Sequence, residues 1–137
     1  MNKGRGKKTV KAREIVTLIK GEVLSCEHLL DKIDIRRGFS ADLMSDVLAL
    51  VDCKNKDVVL ITGITNPQII RTAEMLDIPM IIVARGKIVP EETINLAKEK
   101  EIILVRTKNI VFVTSGILYQ HGIKGAVPKG TKEENSL

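Results

Sequence analysis

Tryptophan is absent, and Phe39, Phe112 and Tyr119 are the only aromatic residues. Proteins that grip single-stranded nucleic acid stack successive bases on aromatic rings, so a stacking platform of that kind is excluded. Two cysteines, Cys26 and Cys53, are too few for a disulfide scaffold or for a self-contained zinc or iron–sulfur site. Neither has a partner at C-x-x-C spacing, and both read as structural thiols. Apolar runs stop well short of the roughly 20 residues that a spanning helix needs. The start is basic with no apolar stretch behind it. The expectation is a reduced, cytoplasmic domain with no membrane insertion.

Catalytic signatures are missing too. The phosphate loop G-x-x-x-x-G-K-[ST] does not occur, and Gly4-Arg5-Gly6 runs into Lys7, Lys8 and Thr9 instead of a dinucleotide fingerprint. His28 follows a glutamate in a polar stretch, and His121 falls at a helix end, where the dipole favours a cation. Surface or capping roles suit both. With no nucleophile elbow and no histidine–carboxylate motif, the chain reads as non-enzymatic, with no metal or cofactor of its own.

What is present is one domain's worth of core. The chain has 137 residues, 44% hydrophobic and 28% charged, enough to bury roughly two-thirds of its unfolded surface. Its net charge of +5 is unevenly placed. Lys3, Arg5, Lys7, Lys8, Lys11 and Arg13 supply six positive charges, so the remainder is nearly neutral. Residues 1–8 therefore read as a basic, disordered, solubilising tail. Contact with phosphate backbones is the minor alternative.

Periodicity gives alternating helices and strands. Thr9 is expected to cap a helix that turns Ala12, Ile15, Val16 and Ile19 to one face and ends at Gly21. Residues 22–25 and 33–38 read as short strands. Ser40 or Asp42 then caps a helix burying Leu43, Met44, Val47, Leu48 and Val51, and 53–57 is a polar turn. Three uninterrupted apolar runs follow: Val58-Val59-Leu60-Ile61, Met80-Ile81-Ile82-Val83 and Ile102-Ile103-Leu104-Val105. Unbroken runs of this kind mark strands covered on both faces, as in a parallel sheet. Helices are expected after each, over 67–76, 90–100 and 109–121, with Pro67 and Pro90 at first helical positions. Met44, Met75, Ile69 and Ile70 count as core, or in part as a subunit contact. The fold class is α/β: a three-layer α/β/α single domain over 9–122 with a mostly parallel sheet. Gly125, Pro128 and Gly130 suggest a flexible C-terminal tail over 123–137.

Ligands of such sheets sit outside the carboxyl ends of the strands. Those ends are Thr62-Gly63-Ile64-Thr65-Asn66, Arg85-Gly86-Lys87 and Arg106-Thr107-Lys108. Gly63 and Gly86 would let a ligand approach the backbone. Thr65, Asn66 and Thr107 can cap helices or donate hydrogen bonds, and Arg85, Lys87, Arg106 and Lys108 make the rim basic. A small anion or a nucleotide phosphate suits this rim; plain turn and cap chemistry would demand the same residue types. Asp42, Ser45 and Asp46 lie within one helical turn. A water-mediated magnesium site is one reading of that spacing, and a helix-dipole contact with a solvated face is the preferred one.

The order of motifs resembles the DRTGG domain family over residues 10–122. The match runs from Glu14–Leu24 through Gly38-Phe39-Ser40-Ala41-Asp42-Leu43-Met44-Ser45-Asp46-Val47-Leu48. It continues through Val59–Thr62 with Asn66-Pro67, Ile81–Val83 with Gly86, Pro90-Glu91-Glu92-Thr93 and Val105-Arg106-Thr107. The literal Asp-Arg-Thr-Gly-Gly string is replaced by Asp34-Ile35-Arg36-Arg37-Gly38. The resemblance implies a fold similar to the N-terminal domain of HPr kinase/phosphorylase. It also implies a regulatory or dimerisation role without catalysis, and it brings no established ligand or catalytic residues. Gly38, Ser40, Asp42, Ser45 and Asp46 are the motif positions it carries over. Stand-alone members accompany iron-only hydrogenase subunits, so an accessory docking role on an iron–sulfur redox complex is the second expectation. Cys26 and Cys53 would at most share a cluster across a dimer. The leading expectation is a homodimeric, ligand-sensing regulatory module for an anionic metabolite such as an adenine nucleotide.

Overall fold

Three strands that are apolar on both sides need a helical layer above and below, and the chain supplies both. In the computed structural model, residues 9–50 and 56–127 are described. The central strands are β5 (Val58–Thr62), β6 (Met80–Val83) and β7 (Ile103–Arg106), with β4 (Arg37–Ser40) beside β5. All four run parallel, in the order β7-β6-β5-β4. Every residue of β5 and β6 is buried. An antiparallel strand, β2 (Glu22–Ser25), closes the β7 edge, and the short β8 (Lys124–Gly125) pairs parallel with β4 at the other. A separate two-stranded ribbon joins β1 (Val10–Lys11) to β3 (Asp34–Ile35).

Helices α2 (Met44–Leu50), α3 (Gln68–Met75) and α4 (Glu91–Glu99) cover one face. Met44, Val47, Ile69, Ile70, Ala73 and Ala97 meet Leu60, Ile81, Val83 and Leu104 there. Helices α1 (Ala12–Leu18) and α5 (Val111–Gln120) cover the other. Ile15, Ile19 and Leu118 pack there on Val59, Ile61, Ile82 and Val105. Alternate residues of one strand thus serve opposite cores, as the two-residue period of a strand requires. The α/β/α architecture and the mostly parallel sheet are those the sequence implies.

Several local expectations shift. The first helix has Lys11 at its N-cap, because Val10 and Lys11 are held as strand residues by β3; Thr9 is not the cap. The expected strand over 33–38 splits at Arg36, its first half joining the ribbon and its second the main sheet. Pro67 and Pro90 occupy N-cap positions, one residue before the helices begin. The last helix begins at Val111, two residues later than expected, and β7 at Ile103. Leu43 and Met75, expected in the core, are 61% and 67% exposed. Leu43 precedes the first turn of α2 and Met75 closes α3, so neither helix turns it inward. Val51 and Cys53 lie outside the described residues, as do 1–8 and 128–137. The folded unit also extends past Gly122: Ile123 is buried, β8 follows, and the Ala126 amide donates to the Gly38 carbonyl at 2.9 Å.

Gly21 shows how tightly the layers meet. Lys20, at φ 52°, makes the left-handed turn that ends α1, so Gly21 is not needed for that turn. It is needed for space: a Cβ there would stand 2.5 Å from Val105 Cγ1, in the middle of β7. Gly21→Ala is expected to destabilise the domain by about 2 kcal/mol through overpacking, read as a lowered urea midpoint with an unchanged slope.

Candidate functional site

Because β5, β6 and β7 are parallel, the segments that leave them share one edge of the sheet. They do not make one uniform rim. The β5 exit is consumed by internal bonds. Asp42, just before α2, accepts from the Gly63 amide at 2.7 Å and from Thr62 Oγ1 at 3.2 Å. Thr62 Oγ1 in turn accepts from the Ile64 amide at 3.1 Å. Lys87 Nζ donates to the Gly63 carbonyl at 2.8 Å, and Thr93 Oγ1 to the Thr65 carbonyl at 2.7 Å. Asn66 Oδ1 accepts the Gln68 amide at 2.9 Å, which is an N-terminal turn of the ordinary kind. A Cβ on Gly63 would lie 3.2 Å from Arg85 Nη2 and 3.4 Å from Asp42 Oδ1, so the protein's own side chains fill that approach.

The β6 and β7 exits behave differently. The helix after β6 lies on the α2–α4 face, whereas the helix after β7 lies on the α1 face. Adjacent parallel strands whose connections depart to opposite faces leave a crevice at their carboxyl ends. A depression of about 490 Å³ occupies this place, lined by Ile19, Lys20, Glu22, Gly86, Arg106, Thr107, Lys108 and Asn109. Its floor is rigid. The Arg85 amide donates to the Asn109 carbonyl and the Gly86 amide to the Thr107 carbonyl, both at 2.8 Å. Thr107, 2% exposed, donates from Oγ1 to the Ile19 carbonyl at 2.8 Å and accepts from the Asn109 amide at 3.3 Å. Arg85 and Gly86 both take positive φ, 69° and 63°, so the turn reverses in two residues. A Cβ at Gly86 would meet Lys108 Cγ at 3.6 Å, an ordinary contact, so it is the positive φ that favours glycine there.

Charge in the crevice is mostly positive: Lys20, Arg106 and Lys108 against Glu22. The Arg106 guanidinium and Glu22 carboxylate form an ion pair across the β2–β7 register. At the α5 N-terminus no side chain caps the helix and no acid lies in the first turn, whereas α4 opens with Glu91 and Glu92.

Of the expected ligand residues, Gly86, Arg106 and Thr107 line the depression. Thr62 and Gly63 belong to the Asp42 network, with Arg85 beside it, while the Thr65 carbonyl accepts from Thr93 and Asn66 from the Gln68 amide. Ile19, Lys20, Glu22 and Asn109 are additional. Their signal was faint, since only the antiparallel pairing of Glu22 with Arg106 brings the first helix to this edge. The motif positions Gly38 and Ser40 lie on the far side of the sheet, where Ser40 Oγ meets Ser115 Oγ at 2.7 Å. Ser45 and Asp46 are exposed on α2, and no group of three metal-binding side chains occurs among the described residues. Cys26 is buried against α4, its Sγ 3.8 Å from the Ala97 carbonyl, and burial pushes its thiol pKa up. No helix among the described residues is long and apolar enough to cross a membrane.

No family model matches the chain, and no curated protein matches it. Among solved structures, the fold is similar to the CBS and DRTGG domains of the regulatory region of Clostridium perfringens pyrophosphatase, complexed with the activator diadenosine tetraphosphate. The TM-score is 0.64 at 18% identity, over 91% of this chain and 51% of that one. The chain therefore spans about half the length of that structure, and the likeness is one of fold.

Asp42 holds two donors that no other acceptor satisfies. Asp42→Ala is expected to lower stability by about 1.5 kcal/mol, and Asp42→Asn by less. Chemical denaturation of the two variants beside the parent checks the order.

Proposed function

We propose that this chain is a non-catalytic regulatory module that senses a small anionic metabolite, an adenine nucleotide foremost, in the crevice between β6 and β7. The observation that carries the reading is the depression of about 490 Å³ at the point where the connections diverge. Its size falls in the range of small-molecule sites. Three cations there face a single carboxylate, and that carboxylate is already paired with Arg106. A regulatory region bound to a nucleotide activator is also the setting in which the similar fold occurs. Thr107 is committed to the Ile19 carbonyl and Glu22 to Arg106, so the crevice reads as a binding site rather than a site for acid–base chemistry. A regulatory effect requires that the ligand favour one conformation or assembly over another. Docking on a hydrogenase-type redox complex and nucleic-acid contact through the basic segment have no carrier among the described residues.

Thermal-shift and calorimetric titration with ATP, ADP, AMP and diadenosine tetraphosphate tests the reading, with adenosine as the neutral control. A ligand at a hundred times its dissociation constant stabilises by about 2.7 kcal/mol. A clear rise in melting temperature is therefore expected for at least one phosphate-bearing compound, weakening as salt increases. The double variant Lys20→Glu, Lys108→Glu is expected to abolish it while folding normally, since both residues are exposed at the rim of the crevice. Silence across the panel would remove the proposal.

A further inference from the structure

Helix α5 carries no charged residue over its ten positions, in a chain that is 28% charged. Its inward side is accounted for: Thr114 and Leu118 are buried, and Thr114 Oγ1 donates to the Ile110 carbonyl at 2.9 Å. Its outward side is also apolar. Phe112 is 82% exposed and Tyr119 60%, with Gly116 exposed between them and Val113, 42% exposed, alongside. Positions 112, 116 and 119 follow the spacing that aligns side chains along one helix face. They lie directly opposite the buried pair.

Gly116 adds an independent observation. A glycine inside a helix is destabilising relative to alanine. Elsewhere in this fold a glycine earns its place by a close approach, as Gly21 does against Val105. A Cβ on Gly116 would meet nothing within 4 Å. Nothing among the described residues requires the missing side chain, at the centre of an exposed aromatic stripe.

We infer that the outer face of α5 is the surface on which a second copy of this chain docks, the two α5 helices crossing antiparallel about a two-fold axis near Gly116. A self-paired surface meets its own charges across the axis, and a charged stripe would repel itself; this one carries none. Antiparallel crossing sets each helix's positive end beside its partner's negative end. Gly116 lets the axes come close, while Phe112 and Tyr119 of each copy flank the crossing. Facing stripes of this composition remove on the order of 1,000 Å² from water in total, near the lower bound for a specific interface. An interface of this size belongs to the weak, reversible class. The face lies across the sheet from α2, α3 and α4, and the inference does not depend on ligand binding.

Sedimentation equilibrium of the full chain over about 1–300 µM, without nucleotide, tests it. The mass is expected to rise from 15.1 kDa toward twice that value. Phe112→Asp should raise the dissociation constant roughly 30-fold or more, whereas Met75→Asp, on the opposite face, should leave it unchanged. Gly116→Ala is the sharper arm. It should raise the melting temperature of the monomer, because the helix gains a better former, yet weaken pairing about tenfold through the added Cβ. A chain that stays monomeric throughout overturns the inference. So does a dimer indifferent to Phe112→Asp and Gly116→Ala, or one broken by Met75→Asp.

Discussion

The structure depends on a sheet that has no wet side. Every residue of β5 and β6 is buried, so each face must be roofed by helices before the strands can be desolvated. The chain roofs one face in order, with α2, α3 and α4 each crossing to the next strand. It has then run out of sheet in that direction. The connection after β7 has to return over the other face to reach β8, and α5 is that connection. The reversal of direction, which the core demands, opens the crevice at the ends of β6 and β7.

The antiparallel edge strand completes the place. β2 runs against β7, which brings Glu22 level with Arg106 and folds the end of α1 over the same border. Gly21 can pass there only because it has no side chain to meet Val105. The same packing that seals the α1 face thus also positions Lys20 and Ile19 beside the strand ends. On the β5 side the geometry closes instead of opening. Asp42 draws the Gly63 amide and the Thr62 hydroxyl together, and Lys87 spans the adjacent exit to the Gly63 carbonyl. The edge is thereby split into a solid half and a hollow half.

Much of the fold was legible. The runs at 58–61, 80–83 and 102–105 announced buried parallel strands because no alternation interrupted them, and the helices followed from their apolar spacing. The boundary errors share one cause. Thr9 is a good cap and proline a good first helical residue by type, but ladder pairing at Val10 and Lys11 and the turns before α3 and α4 set the starting residues. Leu43 and Met75 looked like core because type was all there was to judge by, and each sits where its helix ends. The lining of the crevice was legible in part. Gly86, Arg106 and Thr107 follow from strand ends alone, whereas Lys20, Glu22 and Asn109 become visible only once β2 is known to pair with β7.

By itself, the order of residues determined an α/β architecture with a parallel centre and a basic border at the strand ends. Those features are local, being set by side-chain type and by a period of two or 3.6 along the chain. Which exits lie open and which are filled was decided by tertiary structure, through the handedness of the crossovers and the single return over the second face. So was the exposure of α5, whose residues are uncharged on every side. Hydropathy could show that this helix is greasy all round, but only the packing of Thr114 and Leu118 against the sheet shows which of its sides is left without a cover.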